Sequence, residues 1–462
     1  MSVFDNKTVN DIYAEIQTVY LSDSRPWIIG FSGGKDSTTA LQLVWNAIAQ
    51  LQQQKRTKPI YVISTDTLVE TPVIIDYIEQ TLSRIDENAK RQKLPIKTFR
   101  LKPLVTDTFW VNLIGKGYPA PQQKFRWCTE RMKIRPADRF ITEKVSKHGE
   151  VVLILGVRKS ESMTRAQVMS LYKIKDSVLS RHSKFSGAFV YTPIEDFSVD
   201  DVWTYLLQTP CPWGNNNRDL LALYTTASQT KECPIVVDEK TPSCGNSRFG
   251  CWVCTVVTRD KTMESLIDSG EDWMQPLLEI RDLLSSTQDP DQKHLFREYK
   301  RRNGRVDFKS NGTPVISRGP YKFEFRKDLL RKLLEAQVKI QKTHDKKTEL
   351  ILPEELHEIR RLWKLEKSDW NDSVPKIYKE VTGKEIDWTD DDVGQFSEKD
   401  SALLEKICKK HEVPVLLVKK LLDAEFQTQG MNRRSSIYTT IERVLKEEWR
   451  SEEEVIKERL PS

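Results

Sequence analysis

The chain has 462 residues, of which 38% are hydrophobic and 30% charged, with a formal net charge of +6. That length leaves room for one large domain plus a second, or for two to three modest ones. No apolar run approaches the roughly 20 residues of a membrane span, and Met1 to Asn10 is polar with no apolar h-region after it, so a soluble, cytoplasmic protein without a membrane partner is expected.

In chain order, Trp27-Ile28-Ile29-Gly30-Phe31 reads as a buried strand. Lys35 to Gln53 reads as a helix with Leu41, Leu43, Val44 and Ala47 on one side. Tyr61-Val62-Ile63-Ser64 is a second strand, followed by a helix from Pro72 to Gln92 with the proline in its first turn. Ile96 to Leu101 and Val151 to Val157 are further strands. Strands alternating with helices predict an α/β fold, a parallel sheet with helices on both faces. Ligands of such sheets bind beyond the carboxyl ends of the strands, where the strand order reverses.

From Tyr205 to Thr262 the composition shifts to Pro, Gly, Asn, Ser and Cys with little periodicity, a stretch more easily held by a metal than by a core. Beyond Glu264 the chain reads as helical and charged, as in Phe325 to Gln341 and Ile437 to Leu460, with linkers at Thr343 to Lys347 and Trp388 to Gly394. The expected organisation is four segments: 1–204 for nucleotide chemistry, a Cys-rich insert over 205–262, a basic helical segment over 263–342, and a helical C-terminal region over 343–462.

Charge is spread unevenly. Lys293 to Lys342 holds fifteen Lys and Arg against five Asp and Glu, a local +10, so the remaining residues together carry −4. One basic segment on a slightly acidic protein is the footprint of a polyanion binder, although solvated helix faces give the same count. Arg297, Lys300, Arg301, Arg302 and Arg305 are the residues expected to meet phosphates.

The strongest motif is Ser32-Gly33-Gly34-Lys35-Asp36-Ser37, set between the first strand and its helix. It is not a Walker A loop, because Asp36 rather than Ser or Thr follows the lysine. It matches the Ser-Gly-Gly-x-Asp-Ser loop of the ATP pyrophosphatase superfamily, which splits ATP to AMP and pyrophosphate. Paired glycines let backbone N–H groups close on phosphate oxygens, and the following helix directs its positive end at the same anion. Ser32 and Ser37 add hydroxyls, Lys35 a charge, and Asp36 a polar anchor for the loop or for Mg²⁺. Two later loops leave strands in the same way. Ser64 to Pro72 carries Asp66 among hydroxyls and carboxylates. Gly156-Val157-Arg158-Lys159-Ser160-Glu161-Ser162 ends near Arg165, and Arg158 can clamp a phosphate in a bidentate way that lysine cannot.

Seven cysteines without an export signal argue against a disulfide framework. Four of them (Cys233, Cys244, Cys251 and Cys254) fall within 22 residues, and the last two form a CxxC. A tetrahedral zinc site is one reading of them. Cys211 and Cys408 read as packing residues.

Cys128 lies in Phe125-Arg126-Trp127-Cys128-Thr129-Glu130-Arg131-Met132-Lys133, which resembles the cysteine-containing stretch of assimilatory adenylyl-sulfate reductases. Together these motifs resemble the phosphoadenylyl-sulfate reductase family, whose fold is adenine nucleotide alpha hydrolase-like. More narrowly, the run Ser243 to Thr255, with Pro193-Ile194-Glu195-Asp196-Phe197 and Gly319-Pro320-Tyr321, resembles the DndC-type sulfurtransferases of bacterial DNA phosphorothioation. The matches span residues 25 to 335. The resemblance implies ATP pyrophosphatase activity, a 4Fe-4S cluster, a cysteine desulfurase as sulfur donor, and sister proteins of the same modification system. A cluster needs four thiolates. Cys128, Cys251 and Cys254 supply three of them. Cys233 is favoured over Cys244 as the fourth, leaving Cys244 as a sulfur carrier.

The function expected is ATP-dependent activation of a DNA phosphate followed by sulfur insertion. Lys35, Asp36, Arg158 and Cys244 would be catalytic, with Ser32 to Ser37, Asp66, Arg158 and Arg165 around the nucleotide. The alternatives are a sulfonucleotide reductase, a tRNA thiolation enzyme, and a non-catalytic ATP-dependent clamp. The reductases carry a C-terminal Glu-Cys-Gly, and no cysteine follows Cys408 here.

Overall fold

The computed structural model describes residues 2–227, 250–309, 315–388, 396–428 and 435–459. Contacts divide the chain into two units, Met1–Leu104 with Gln123–Asp272, and Val105–Gln122 with Trp273–Ser462.

The first unit is built on a six-stranded sheet of order β3-β2-β1-β4-β6-β5. Its strands are β1 (Trp27–Gly30), β2 (Ile60–Thr65), β3 (Ile96–Leu101), β4 (Val151–Ile154), β5 (Ser180–Arg181) and β6 (Ala188–Tyr191). All pairings are parallel except β5 against β6 at the edge. Alternate residues of the central strands go to opposite faces, and both faces are covered. Ile29, Val62, Val152 and Ile154 join a core completed by α1 (Val9–Leu21), α2 (Lys35–Ala49), α3 (Pro72–Arg91) and α7 (Val199–Gln208). Ile28, Ile63, Val151 and Leu153 pack with Phe140 and Ile141 of α5 (Arg135–His148). Double coverage explains why these strands read as continuous apolar runs.

Several boundaries differ from the sequence reading. The first strand stops at Gly30 and the fourth at Ile154, because Phe31 and Leu155 already turn into the loops above the sheet. Helix α2 ends at Ala49, ahead of a separate 3₁₀ turn at Gln53–Lys55. The short edge pair β5–β6 carries too little apolar periodicity to be read. The stretch from Tyr205 to Thr262, read as having little periodicity, contains α8 (Asn217–Ala227), and α9 (Lys261–Asp268) begins at its end. Other helices of the unit are α4 (Trp127–Thr129), which runs through a π-helical turn at Glu130–Ile134 into α5, and α6 (Met163–Leu171).

The second unit is helical: α10 (Gln275–Ser286), α11 (Lys293–Phe296), α12 (Phe323–Thr343), α13 (Pro353–Lys367), α14 (Ser373–Thr382), α15 (Glu398–Lys410), α16 (Val415–Thr428), α17 (Ser435–Leu445) and α18 (Glu452–Arg459). The expected helix from Ile437 to Leu460 is therefore two helices, broken at 446–451. Residues 105–122 belong to this unit through buried hydrogen bonds. Trp363 Nε1 donates to Ile114 O at 3.0 Å, Arg326 Nη1 to Gly115 O at 2.7 Å, and Trp110 Nε1 to Leu350 O at 2.7 Å. No helix among the described residues is long and apolar enough to cross a membrane.

Candidate functional site

The chain builds β1, β2 and β3 outward in order and then crosses back to β4, so the sheet order reverses between β1 and β4. The loops after β1 and β4 meet there. Gly33 sits at φ 74°, where a Cβ would lie 2.4 Å from Ile78 Cδ1, so the first loop requires glycine. Ser32 and Ser37 hydroxyls stand 3.0 Å apart; Ser37 Oγ donates to Gly34 O at 3.0 Å and accepts from Ser32 N–H at 3.2 Å. These bonds shape the loop before any anion arrives. Gly34 is the N-cap of α2, with no side-chain cap on the helix end.

Behind the loop lies a buried charge cluster. Lys35 is 1% exposed and Asp36 5%. The Asp36 carboxylate stands between two cations, with Lys35 Nζ at 3.1 Å and Arg158 Nε at 2.7 Å. Arg158 Nη1 also donates to Ser160 Oγ at 3.0 Å. Glu161, ion-paired with Arg165, feels Asp36, Arg158 and Lys35, and burial pushes its carboxyl up. Lys35, Arg158 and Arg165 thus face Asp36 and Glu161, a surplus of one positive charge beside a helix N-terminus. An uncompensated buried charge is costly, so the arrangement favours an incoming anion.

Two supports escaped the sequence reading. Tyr224 of α8 accepts from Lys35 N–H at 3.1 Å, and its ring centroid lies 5.4 Å from the Lys35 ammonium. Gly156 is the other: a Cβ there would lie 2.5 Å from Asp36 O and 2.9 Å from Ser37 N. Gly156→Ala is therefore expected to push the β4 loop off α2 and pull Arg158 from Asp36. Turnover of any nucleotide that the site uses should drop on the order of 10²-fold, the usual consequence of a misplacement of about 1 Å. A turnover assay at wild-type level would show that the close approach is not needed.

The Pro193 to Phe197 motif acts on the same loop. Lys159 N–H donates to Glu195 O at 2.8 Å, and Ser160 Oγ to Phe197 O at 2.9 Å, while Ile194 and Phe197 are buried in the core. This anchors the segment that carries Arg158.

The loop after β2 links this region to the cysteines. Asp66 is buried, accepts from Leu68 N–H at 2.8 Å and pairs with Arg100 at 2.8 Å. Farther along, Glu70 bridges Cys251 in antiparallel fashion, Trp252 N–H donates to Val69 O at 3.0 Å, and Thr67 Oγ1 lies 3.3 Å from Cys251 Sγ. Cys254 N–H closes a turn on Cys251 O at 3.1 Å. Cys128, Cys251 and Cys254 are half-buried thiols. Burial pushes Cys128 up to about 11, with Cys254 adding to the shift, and Cys251 up to about 12. Lys133 opposes both shifts. Its surroundings lower its own pKa by desolvation, but Cys251, Glu70, Cys128 and Cys254 outweigh that and raise it.

Three soft thiols with Lys133 beside them are donors that suit a thiophilic centre, zinc or an iron–sulfur cluster. Among the described residues no three His, Cys, Asp or Glu side chains gather as around one metal ion. A four-iron cluster spreads its ligands more widely than a single ion does. Cys233 and Cys244 lie outside the described residues, as does most of the Ser243 to Thr255 run. Cys211 packs against the core of the first unit, and Cys408 is buried in α15.

A family described as the phosphoadenosine phosphosulfate reductase domain matches residues 26–257. The chain belongs to that family. The matched residues take in the Ser32–Ser37 loop, Arg158, Cys128 and the CxxC. A second match places residues 399–446, which fall on α15 to α17, with a small protein found in certain Dnd DNA modification systems. An uncharacterised protein of Methanocaldococcus jannaschii is 30% identical over 211 residues, 46% of this chain and 37% of that relative. Among solved structures, a phosphoadenylyl-sulfate reductase from Candida auris in phosphate complex is 15% identical, covering 48% of this chain and 88% of that one, with a TM-score of 0.30. A U34-tRNA thiolase from Methanococcus maripaludis with its 4Fe-4S cluster is 12% identical, covering 47% and 72%, with a TM-score of 0.25.

The basic segment beyond the reductase domain has a use that its charge count conceals. Arg297 donates to Gly319 O at 2.8 Å and Arg318 O at 2.6 Å. Arg302 pairs with Glu366 at 2.7 Å, Arg318 with Glu452, and the ammonium of Lys300 lies 4.6 Å from the Trp449 ring centroid. Arg326 is fully buried. Tyr321 of the Gly319-Pro320-Tyr321 motif is buried too, and its hydroxyl accepts from Ala120 N–H at 2.9 Å. The expectation that Arg297 meets phosphates is corrected: its guanidinium is committed to two carbonyls within the second unit. Arg301, Arg302, Arg305 and Lys309 are exposed.

Proposed function

We propose that this chain activates a DNA backbone phosphate with ATP and helps replace a non-bridging oxygen with sulfur, as one protein of a phosphorothioation complex. The reading is carried by one juxtaposition. The loop from Asp66 to Thr71 runs from the carboxyl end of the sheet to the thiols, with Glu70 paired to Cys251. It is supported by the likeness of residues 399–446 to a Dnd-system small protein.

On this reading the Ser32–Ser37 loop and the α2 N-terminus bind ATP phosphates, together with Mg²⁺. Lys35, Arg158 and Arg165 neutralise charge, Asp36 orients Lys35 and Arg158, and Asp66 borders the adenosine. A DNA phosphate oxygen attacks the α-phosphorus and pyrophosphate leaves. Sulfur at the hydrosulfide level then displaces AMP. Activation is needed because an anionic phosphodiester resists an anionic nucleophile, whereas AMP is a competent leaving group. The protein's part is positioning and charge neutralisation. Cys128, Cys251 and Cys254, with Cys233 or Cys244, would hold a 4Fe-4S cluster, which would supply electron transfer or sulfide binding. Cys244, if free, would carry the sulfur delivered by a cysteine desulfurase as a persulfide, whose outer sulfur leaves as hydrosulfide when an external thiol attacks the inner sulfur and a disulfide forms.

Mass analysis of host DNA with and without the gene tests the reading. Phosphorothioate dinucleotides should vanish with the gene. Their persistence, or the loss of a thiolated tRNA nucleoside instead, would overturn it.

A further inference from the structure

The arginines of the second unit that are tied to carbonyls and carboxylates leave open where a polyanionic acceptor lies near the bound nucleotide. Between Arg158 and Lys184 there are seven Lys and Arg against two Asp and Glu, a local +5 outside the segment that the sequence singled out. Most of these cations are paired, Arg158 with Asp36, Lys159 with Glu195 and Asp196, Arg165 with Glu161 and Lys184 with Asp138, so the ones that matter are those left over.

This stretch leaves β4 at its carboxyl end, forms α6, and returns along the sheet edge through β5. The register places it. Ser180 pairs with Val190, one residue before the carboxyl end of β6, and Lys173 bridges Ser180. The start of β5 thus lies towards the carboxyl end of the sheet, the end at which the Ser32–Ser37 loop follows β1, three strands away in the sheet order.

Its tip is a defined structure. Ile174 N–H donates to Leu179 O at 3.4 Å and Ser177 N–H to Ile174 O at 3.2 Å, while Asp176 takes a φ of 58°. Leu179 is buried, and Ile174 packs on the core. The pinned turn leaves Lys173, Lys175 and Arg181 exposed. Lys173 approaches Glu195 only at 3.5 Å, and among the described residues Lys175 and Arg181 have no ion pair. Four large apolar side chains are exposed with them: Met163 at 81%, Leu171 at 75%, Val178 at 51% and Val168 at 38%.

Lys175 and Arg181, exposed and without an ion pair among the described residues, attract a polyanion, and the apolar side chains beside them suit the sugar faces of its backbone. We propose that the excursion from Met163 to Lys184 is the surface on which the acceptor DNA lies, with Lys175 and Arg181 on its phosphates. This rests on the reading of the acceptor as DNA. The contacts position the strand and carry no sequence preference.

The test uses the full chain and a fluorescein-labelled mixed-sequence 30-mer duplex, with binding followed by anisotropy across a salt series. Each phosphate contact contributes about 0.9 to the slope of log affinity against log salt, so Lys175→Gln with Arg181→Gln should flatten it by about two units. Lys175→Glu with Arg181→Glu should weaken DNA binding by about ten-fold or more. Affinity for a non-hydrolysable ATP analogue should stay at wild type, since neither residue faces the nucleotide. Arg305→Gln with Lys309→Gln, in the second unit, is the comparison and should change the slope less. An unchanged slope in the Lys175 and Arg181 variants overturns the proposal, as does a wild-type chain that binds total tRNA more tightly than the duplex. Either result leaves the phosphorothioate assay free to decide the underlying reading separately.

Discussion

Lys35→Ala is expected to abolish pyrophosphate release, with a loss of at least about 10²–10³-fold, the cost of removing one preorganised charge-stabilising donor. The side chain is buried at the mouth of α2, held between the Asp36 carboxylate and the face of Tyr224. Water cannot replace it there without a cavity. Stability should hold, because the substitution removes a cation from a cluster with surplus positive charge. Asp36→Ala should be equally inactive but different in kind. It takes away the carboxylate between Lys35 and Arg158, and stranding buried charges costs about 3–5 kcal/mol. A thermal melt alongside the pyrophosphate assay separates the two: the midpoint should fall for Asp36→Ala and stay for Lys35→Ala. Wild-type pyrophosphate release from Lys35→Ala would refute the nucleotide site.

Cys251→Ser or Cys254→Ser should strip the chain of its iron. Purified without oxygen, the wild type is expected to be brown, with about four irons and four sulfides per chain. Either serine variant should be colourless. Both cysteines sit on the turn that pairs with Val69 to Thr71. Cys211→Ser and Cys408→Ser should keep the colour, since one packs on the core of the first unit and the other is buried in α15. Iron and sulfide analysis with visible absorption is the measurement. A colourless wild type with one zinc would replace the cluster by a structural metal site.

The parts of this protein legible in the sequence are those written in short stretches of chain. The Ser32 to Ser37 loop is visible because its glycines and hydroxyls act on backbone within six residues. Strands β1, β2 and β4 show because burial on both faces demands runs such as Trp27-Ile28-Ile29, and α3 because its apolar spacing follows the helical period. The CxxC is local in the same sense. What tertiary structure alone decided comes from contacts far apart in sequence. Tyr224 reaches Lys35 from a helix with no motif, and Gly156 is required by the backbone of Asp36, 120 residues earlier. Residues 105–122 read as a continuation of the first unit, yet Trp110 and Gly115 bond into the second. The basic segment counted as +10 in the sequence, but composition cannot say which guanidiniums are aimed at carbonyls and which at solvent. That depends on packing: Arg297 and Arg326 are turned inward by the chain folded around them, while Lys175 and Arg181, on a turn pinned by Leu179, are left outside.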